Sequence, residues 1–317
     1  MMNAATPLQM PPDLLRLCHE RTVWRHLLRG ILFLALYWVG AVGAIAAAAQ
    51  VTAAWQWMLI LPLYLLAGAS LHGISLFTHE AVHGTLMENR ALNAIFGSLC
   101  AIPVLQNFSA YRVLHLQHHQ HLGDEGDPDH YSNYTRWTWM VFLMNWLRLI
   151  IGYPVYITAI PVLGFKHGDT RARLGILAEV LATILLVWLV MWWIPFTWLL
   201  HGWIIPMIFI NTMVNIRGMS QHTLLEHASD TVRGTRSILT APLVRFFMCN
   251  ENYHLEHHLF PGVPWHHLPQ VHAALEPELR RQGAPYIPSY GSFVREFIIH
   301  SFQRSPLGRR GKSDAAQ

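Results

Sequence analysis

Histidine stands out in this chain by both its number and its spacing. The chain has 21 histidines among 317 residues. His79 and His83 are four residues apart, so on a helix both rings project from one face. Two further clusters follow the pattern H-x-x-H-H, of which only about 0.1 copies are expected by chance at this histidine frequency. These clusters are His115, His118 and His119, and His254, His257 and His258.

This spacing is typical of metal binding. Neutral imidazole is a common metal ligand, and residues at i, i+3 and i+4 can present two or three ring nitrogens to one point. Eight imidazoles exceed the four to six ligands of one transition metal, so the clusters predict two metal ions. They contain too few carboxylates for the Glu and Glu-x-x-His pattern of soluble di-iron bundles. Imidazole alone leaves zinc, copper, iron and nickel open.

Composition places these clusters in a membrane protein. Hydrophobic residues make up 53% of the chain and charged residues 13%, whereas a soluble domain carries about 25% charged residues. No Lys or Arg lies between Arg29 and Arg90 or between Arg173 and Arg217, and each gap is long enough to cross a bilayer twice. The expected fold is an all-α integral membrane protein with four transmembrane helices. These helices are expected at about residues 27–49, 54–77, 174–194 and 197–216.

Charge also predicts the orientation of the chain. Because Lys and Arg stay on the cytoplasmic side, both termini and the three histidine clusters are expected in the cytoplasm, where the clusters form a cap over the helices. The sequence pI of about 9.1 reflects this orientation, so nucleic acid is not an expected partner. Two further apolar segments, 93–106 and 137–163, are expected to be interfacial or re-entrant. The first is short, and the second carries two prolines and Arg148, which is costly at the centre of a membrane helix.

The chain divides into three parts on this interpretation. Residues 1–26 form a cytoplasmic N-terminal segment, residues 27–303 form a single membrane domain, and residues 304–317 form a mobile tail. The three cysteines lie far apart with no C-x-x-C pair. They therefore indicate neither a disulfide framework nor a thiolate metal site.

The clusters and their surroundings resemble the histidine boxes of the membrane fatty acid desaturase superfamily. Residues 252–265 read NYHLEHHLFPGVPW, which is similar to the third box, and residues 127–129 read DPD, which is similar to the acidic element after the second. The resemblance implies a non-haem di-iron centre that uses O2 as co-substrate to oxidise an aliphatic chain. It also implies a ninth ligand after the last span, for which His222 is the candidate and His227 the alternative. Gly218 stands where some relatives have an Asn near one iron.

The resemblance gives a full set of expected metal ligands, which are catalytic through the metals that they hold. These residues are His79, His83, His115, His118, His119, His222, His254, His257 and His258. His72 lies before the first box and is expected to be a satisfied or pore-facing residue rather than a ligand. Four acids are expected to accept hydrogen bonds from the second ring nitrogens of ligands. They are Glu80, Asp127, Glu226 and Glu256.

The expected activity is desaturation of a fatty-acyl chain, in which two hydrogens leave neighbouring carbons and a double bond, or an acetylenic bond, forms. Free, CoA-linked, carrier-protein-linked and lipid-linked chains all stay open as substrates. A hydroxylase that uses the same metals is the close alternative. A metal transporter is a distant alternative, disfavoured because the histidines lie outside the hydrophobic segments.

The reaction needs two external electrons, and the sequence carries no route for them. It has no cysteine pattern for an iron–sulfur centre and no G-x-G-x-x-G motif for a flavin or nicotinamide. A separate donor of the ferredoxin, rubredoxin or cytochrome type is therefore expected to dock on the cytoplasmic face of a bacterial inner membrane. Its expected landing surface is basic. The residues of that surface are Arg112, Arg136, Lys166, Arg171, Arg173, Arg233 and Arg236.

Overall fold

The computed structural model describes residues 10–303, except residues 19, 21, 131, 132, 226 and 227. Helices dominate this part of the chain. They are α1 (Pro12–Cys18), α2 (Val23–Ala48), α3 (Trp57–Val82), α4 (Arg90–Ala101), α5 (Phe108–Gln120), α6 (Thr138–His167), α7 (Thr170–Trp193), α8 (Phe196–Leu199), α9 (Ile205–His222), α10 (Thr231–Gly234), α11 (Pro242–Phe247), α12 (His254–Leu259), α13 (Leu268–Arg281) and α14 (Tyr290–Gln303). Two short strands, β1 (Ser237–Ile238) and β2 (Tyr286–Ile287), pair in parallel. The tail expected at 304–317, Glu226 and the alternative ligand His227 lie outside the described residues.

Five helical stretches in the described part are long and apolar enough to cross a membrane. They are Val23–Ala48, Ala54–Val82, Trp139–His167, Thr170–Trp193 and Phe196–His222. Four of them overlap the predicted spans. The fifth is α6, which the sequence predicts as interfacial or re-entrant and which forms one 30-residue helix despite two internal prolines. Length and apolarity do not decide whether such a helix crosses, so the count of four spans stays a prediction.

A side chain of α9 repairs the proline defect in α6. Pro154 has no backbone N–H to donate to the carbonyl of Ile150, which would otherwise be left without a partner. The Nδ2 of Asn211 donates to the carbonyls of Leu149 at 3.0 Å and Ile150 at 3.3 Å, while its Oδ1 accepts from the backbone N–H of Tyr153 at 2.9 Å. One buried amide therefore keeps α6 continuous and joins it to α9.

Helices α4 and α5 meet at a sharp bend of 103°. Leu105 enters the left-handed region at the bend, with φ 57°, and ends the helical run from α4. The carboxylate of Glu179, in α7, accepts from the Oγ of Ser98 at 3.1 Å and from the Oγ and N–H of Ser109 at 2.7 and 3.0 Å. This contact fixes the start of α5, and with it the direction in which the second histidine box points. The bend fits a broken span or a re-entrant loop, and the expectation for 93–106 stays open.

Helix α6 lies close against both α5 and α9. A Cβ at Gly164 would meet the Cβ of Ala110, in α5, at 2.6 Å, and a Cβ at Gly152 would meet the Oδ1 of Asn215, in α9, at 2.5 Å. Only glycine allows the backbones to approach this closely. The contacts place one side of α6 along the helices that carry the second box and His222.

The third box is anchored by one buried carboxylate. Glu256 lies in α12 and is fully buried. Its oxygens accept from the hydroxyl of Ser237 in β1, from the Nδ1 of His272 in α13 at 2.6 Å and from the hydroxyl of Tyr286 in β2 at 3.1 Å. A buried charge is tolerated when it is hydrogen-bonded in this way. The network fixes α12 against the strands and α13, so the histidines of α12 have a defined direction.

Candidate metal centre

Five histidines from three helices form a first group, in which the ligand nitrogens all lie within 4.8 Å of one another. They are His79 and His83 at the end of α3, His115 and His119 in α5, and His257 in α12. The Nε2 atoms of successive members lie 3.0 Å apart for His83 and His115, 3.1 Å for His115 and His119, and 3.3 Å for His119 and His257. Ligands at right angles around an ion with bonds of about 2.1 Å are about 3 Å apart, so the spacing fits one ion.

A second group adjoins the first. The ligand nitrogens of His118, His222 and His258 lie within 4.8 Å of one another. The Nε2 of His254 lies 3.1 Å from that of His222 and 3.0 Å from that of His258, so His254 belongs to the same group. The rings of His119 and His258 stack with centroids 4.1 Å apart, which shows how close the two groups are. The structure thus brings together all nine histidines that the sequence selects.

The two H-x-x-H-H boxes divide between the groups in the same manner. His119 belongs to the first group and its neighbour His118 to the second, while His257 belongs to the first and His258 to the second. Successive residues of an α-helix project about 100° apart, so adjacent rings cannot point at one ion. The sequence predicts that a box can direct two or three nitrogens to one point. In the structure each box directs two nitrogens to one group, His115 with His119 and His254 with His258, and its remaining histidine to the other group.

Acceptors behind the rings of the second group fix which nitrogen faces inward. The Nδ1 of His118 donates to Asp127 at 2.9 Å and that of His222 to the carbonyl of Gly234 at 3.1 Å, while the Nδ1 of His254 lies 3.0 Å from a carboxylate oxygen of Glu251. A carbonyl only accepts, and despite burial the contact with His118 keeps the pKa of Asp127 below its usual value, so in the first two contacts the proton lies on Nδ1. The Nε2 lone pairs of His118 and His222 are therefore free to bind an ion.

Of the three acids that the sequence selects as acceptors and the structure describes, one contacts a ligand histidine. Asp127 binds His118, as expected. Glu80 instead accepts from the hydroxyl of Thr85 and the N–H of Trp265, and Glu256 anchors the third box, so neither contacts a ligand. Both side chains point into the surrounding structure rather than towards the rings.

The sequence interpretation missed Glu251. One of its carboxylate oxygens lies 3.0 Å from the Nδ1 of His254, and the other lies 3.4 Å from the Nδ1 of His79. It therefore stands behind one ring of each group. Its position three residues before the first histidine of the third box was the sequence signal that could have identified it.

Burial sets the charge state of the cluster. Burial, and the neighbouring histidines, hold the pKa of His254, His257 and His258 well below its usual value. Burial likewise lowers the pKa of His83 to about 3. These imidazoles are therefore neutral near pH 7, which is the form that binds metals. Burial raises the pKa of Glu251 to about 8, although the charge of Arg217 acts in the opposite direction.

Two other residues singled out in the sequence are explained by the fold. A Cβ at Gly218 would lie 2.8 Å from the Nη2 of Arg148, so a guanidinium borders the position where some relatives have an Asn. His72 is fully buried in α3 and belongs to neither group.

The cluster opens on a cavity of about 850 Å³ between α5, α6, α9 and α14. His79, His115, His118, His222 and His254 form part of its wall. Helix α6 supplies an apolar side, formed by Phe142, Leu147, Ile151, Val155, Ile160 and Leu163. An aliphatic chain fits such a surface, and the ligand nitrogens are accessible from it.

Comparison with known proteins agrees with this geometry. Residues 55–290 match the fatty acid desaturase family. The dihydrorhizobitoxine desaturase of Bradyrhizobium elkanii is 29% identical over 261 residues, covering 73% of this chain and 72% of that protein. The sphingolipid delta(4)-desaturase of Xenopus tropicalis is 25% identical, covering 78% and 73%, and the sphingolipid delta(4)-desaturase/C4-monooxygenase of Mus musculus is 25% identical, covering 79% and 74%. The chain therefore belongs to the fatty acid desaturase family and is an oxidoreductase of the desaturase type.

Proposed function

We propose that this desaturase is an O2-dependent di-iron enzyme that introduces a double bond into a fatty-acyl or related aliphatic chain. The observation that carries the proposal is the pair of adjoining imidazole groups opening on an apolar-walled cavity. The first group would hold one iron and the second group, with His254, the other.

The residues present fit such a pair of ions. All nine donors are imidazoles, and the Nε2 of His79 is buried with no hydrogen-bond partner among the described residues, a costly state unless an ion binds it. Imidazole suits zinc, copper, iron and nickel, but zinc has no redox chemistry and cannot serve an oxidation. When bound, two irons would supply the activation of O2, whose reduction to water takes two electrons from the external donor and two from the chain as it loses two hydrogens.

The protein's own residues orient the metal ligands and exclude water from the reacting carbons. Asp127 and the carbonyl of Gly234 hold the Nδ1 protons of His118 and His222, and Glu251 contacts the Nδ1 of His254, so the Nε2 atoms of these three ligands are directed inward. The apolar side of α6 binds the chain and excludes water from the carbons that lose hydrogen. Which two carbons react depends on how deep the chain enters the cavity.

The direct test is metal analysis combined with mass spectrometry of products. We expect two irons per chain and a product that lacks two hydrogens, whereas a hydroxylase product would gain one oxygen. His118→Ala and His257→Ala each remove a ligand of one group, so both should abolish turnover and lower the iron content. His167→Ala changes an exposed histidine at the end of α6 and is the control. One tightly held ion in the wild type, or full activity in either ligand variant, would contradict the proposal.

We also propose the predicted topology, with four spans and a cytoplasmic cluster in a bacterial inner membrane. Only Gly168 and Asp169 separate α6 from α7. If α7 and the stretch Phe196–His222 each cross once, both ends of α6 lie on the side of the cluster, because the second box precedes α6 on that side. A helix with both ends on one side does not cross. An interfacial α6 therefore fits this topology and lets the three boxes meet on one side.

An external donor of the ferredoxin, rubredoxin or cytochrome type is part of the proposal, since the reaction consumes two electrons. Of the basic residues expected to receive it, six are exposed: Arg112, Arg136, Lys166, Arg171, Arg173 and Arg233. The inclusion of Arg236 was wrong. This residue is only 2% exposed, and its Nη1 donates to the carbonyl of Ser220. It supports the fold beside the centre and is not available to a partner.

A further inference from the structure

Two polar side chains of α9 line the cavity beside the metal centre, and the centre does not account for them. Arg217 and Gln221 are four residues apart, so they lie one above the other on the helix. The Nε of Arg217 and the Nε2 of Gln221 are both buried, and neither has a hydrogen-bond acceptor among the described residues. A buried donor without an acceptor costs about 1–3 kcal/mol, more for a charged group, so both indicate a missing partner.

No carboxylate of the described chain neutralises Arg217. Its nitrogens form no ion pair within 4.0 Å in the described part, although its charge acts on Glu251, His254 and His257. Two carboxylates that contact the cluster face ligand rings, Asp127 that of His118 and Glu251 those of His254 and His79. A guanidinium that faces a cavity without a counter-ion is a site for an anion, and its planar fork suits a carboxylate.

A second guanidinium strengthens the positive charge of this wall. Arg148 lines the same cavity, with its Nε 3.3 Å from the Oδ1 of Asn215 and its Nη2 against Gly218. The cavity is therefore apolar along most of α6 and positively charged where Arg148 of α6 lies near α9 with its Arg217, which matches a molecule with an aliphatic chain and an acid group.

We propose that Arg217 and Gln221 bind the carboxylate of the substrate inside the cavity, so that the enzyme acts on free carboxylic acids rather than on thioesters or glycerolipids. The inference rests on the proposed oxidation of a chain in this cavity. Because Gln221 adjoins His222 and Arg217 lies about 1.4 turns before it in the same helix, the carbons brought to the centre are those near the carboxylate. Thioester and ester groups carry no charge and would leave Arg217 unpaired.

The test compares an acid with an uncharged analogue of the same shape. Binding of dodecanoic acid and dodecanamide to the iron-loaded protein in detergent would be measured by calorimetry, together with kcat/KM for both. We expect the acid to bind about 10- to 100-fold more tightly, as hydrogen bonds to a charged group imply. Arg217→Gln should remove that preference and leave the amide affinity unchanged, and Gln221→Leu should reduce it. Arg90→Gln removes an exposed arginine that neither lines the cavity nor belongs to the expected donor surface, and it is the control.

The outcomes separate this inference from the proposed function. Equal binding of acid and amide by the wild-type protein, or unchanged acid binding in an Arg217→Gln protein that retains its iron, would overturn the carboxylate site. If the Arg217→Gln variant loses its iron, two other results decide whether the carboxylate site exists. They are the comparison of acid with amide in the wild-type protein and the acid affinity of Gln221→Leu. Desaturation of a lipid-linked chain but of no free acid would refute the carboxylate site and leave the desaturase function intact. Absence of dehydrogenation with acids, esters and lipids would instead refute the proposed function.

Discussion

The most specific prediction about the metal centre concerns Glu251, whose carboxylate lies behind one ring of each histidine group. Its two oxygens lie 3.0 Å from the Nδ1 of His254 and 3.4 Å from the Nδ1 of His79. Asp127, in contrast, contacts only His118, a member of the second group. Loss of an outer carboxylate typically lowers metal affinity or activity by about 10- to 100-fold. Glu251→Ala should therefore weaken both ions, and Asp127→Ala only one.

The assay follows iron loss from the purified protein to an excess of a chelator. We expect both irons to leave Glu251→Ala about 10- to 100-fold faster than the wild type, which corresponds to about 1.4–2.7 kcal/mol of binding free energy per ion. In Asp127→Ala, one iron should leave fast and the other at the wild-type rate. Glu88→Ala removes an exposed acid and should change neither rate.

Two results would refute this reasoning. The first is loss of a single iron from Glu251→Ala, which would mean that the 3.4 Å approach to His79 does not support the first ion. The second is wild-type kinetics in both variants, which would mean that the carboxylates do not orient the ligands. Circular dichroism of each variant would establish that the fold is retained.

Three further predictions concern the scaffold, the topology and the donor. Asn211→Leu removes three hydrogen bonds to α6. Each such bond contributes about 0.6 and up to 1.7 kcal/mol in a membrane protein, so the variant should be destabilised by about 2 kcal/mol in thermal unfolding. An unchanged unfolding midpoint would mean that Asn211 does not stabilise α6. Reporter fusions at Gln50 and Pro195 should read as external, whereas an external fusion after Arg173 would mean that α6 crosses. Reversal of charge at Arg171 and Arg173 should slow donor-supported turnover at low salt but not turnover driven by a chemical reductant; equal slowing of both would exclude a docking role.

The sequence by itself selected the nine histidines, eight from their type and spacing and His222 from the family resemblance. Type and spacing suffice for the eight because a metal site needs particular donor atoms, and an excess of H-x-x-H-H triplets over chance is visible without any tertiary information. The apolar stretches were visible for the same reason, since a span needs a fixed length of apolar residues. Asp127 was also found, because it lies in an acidic element directly after its box.

Only the tertiary structure decided how these residues combine. Adjacent histidines such as His118 and His119 separate into two groups because a helix turns 100° per residue, and the partners of each group come from helices distant in sequence. The role of Glu251 depends on its contact with His79, which lies on another helix, and the burial of Arg236 depends on the packing around Ser220. Asn211 donates to the carbonyl of Ile150, which Pro154, 57 residues earlier in the chain than Asn211, leaves without a backbone donor. Contacts of this kind arise from packing between helices and strands, so local sequence patterns do not predict them.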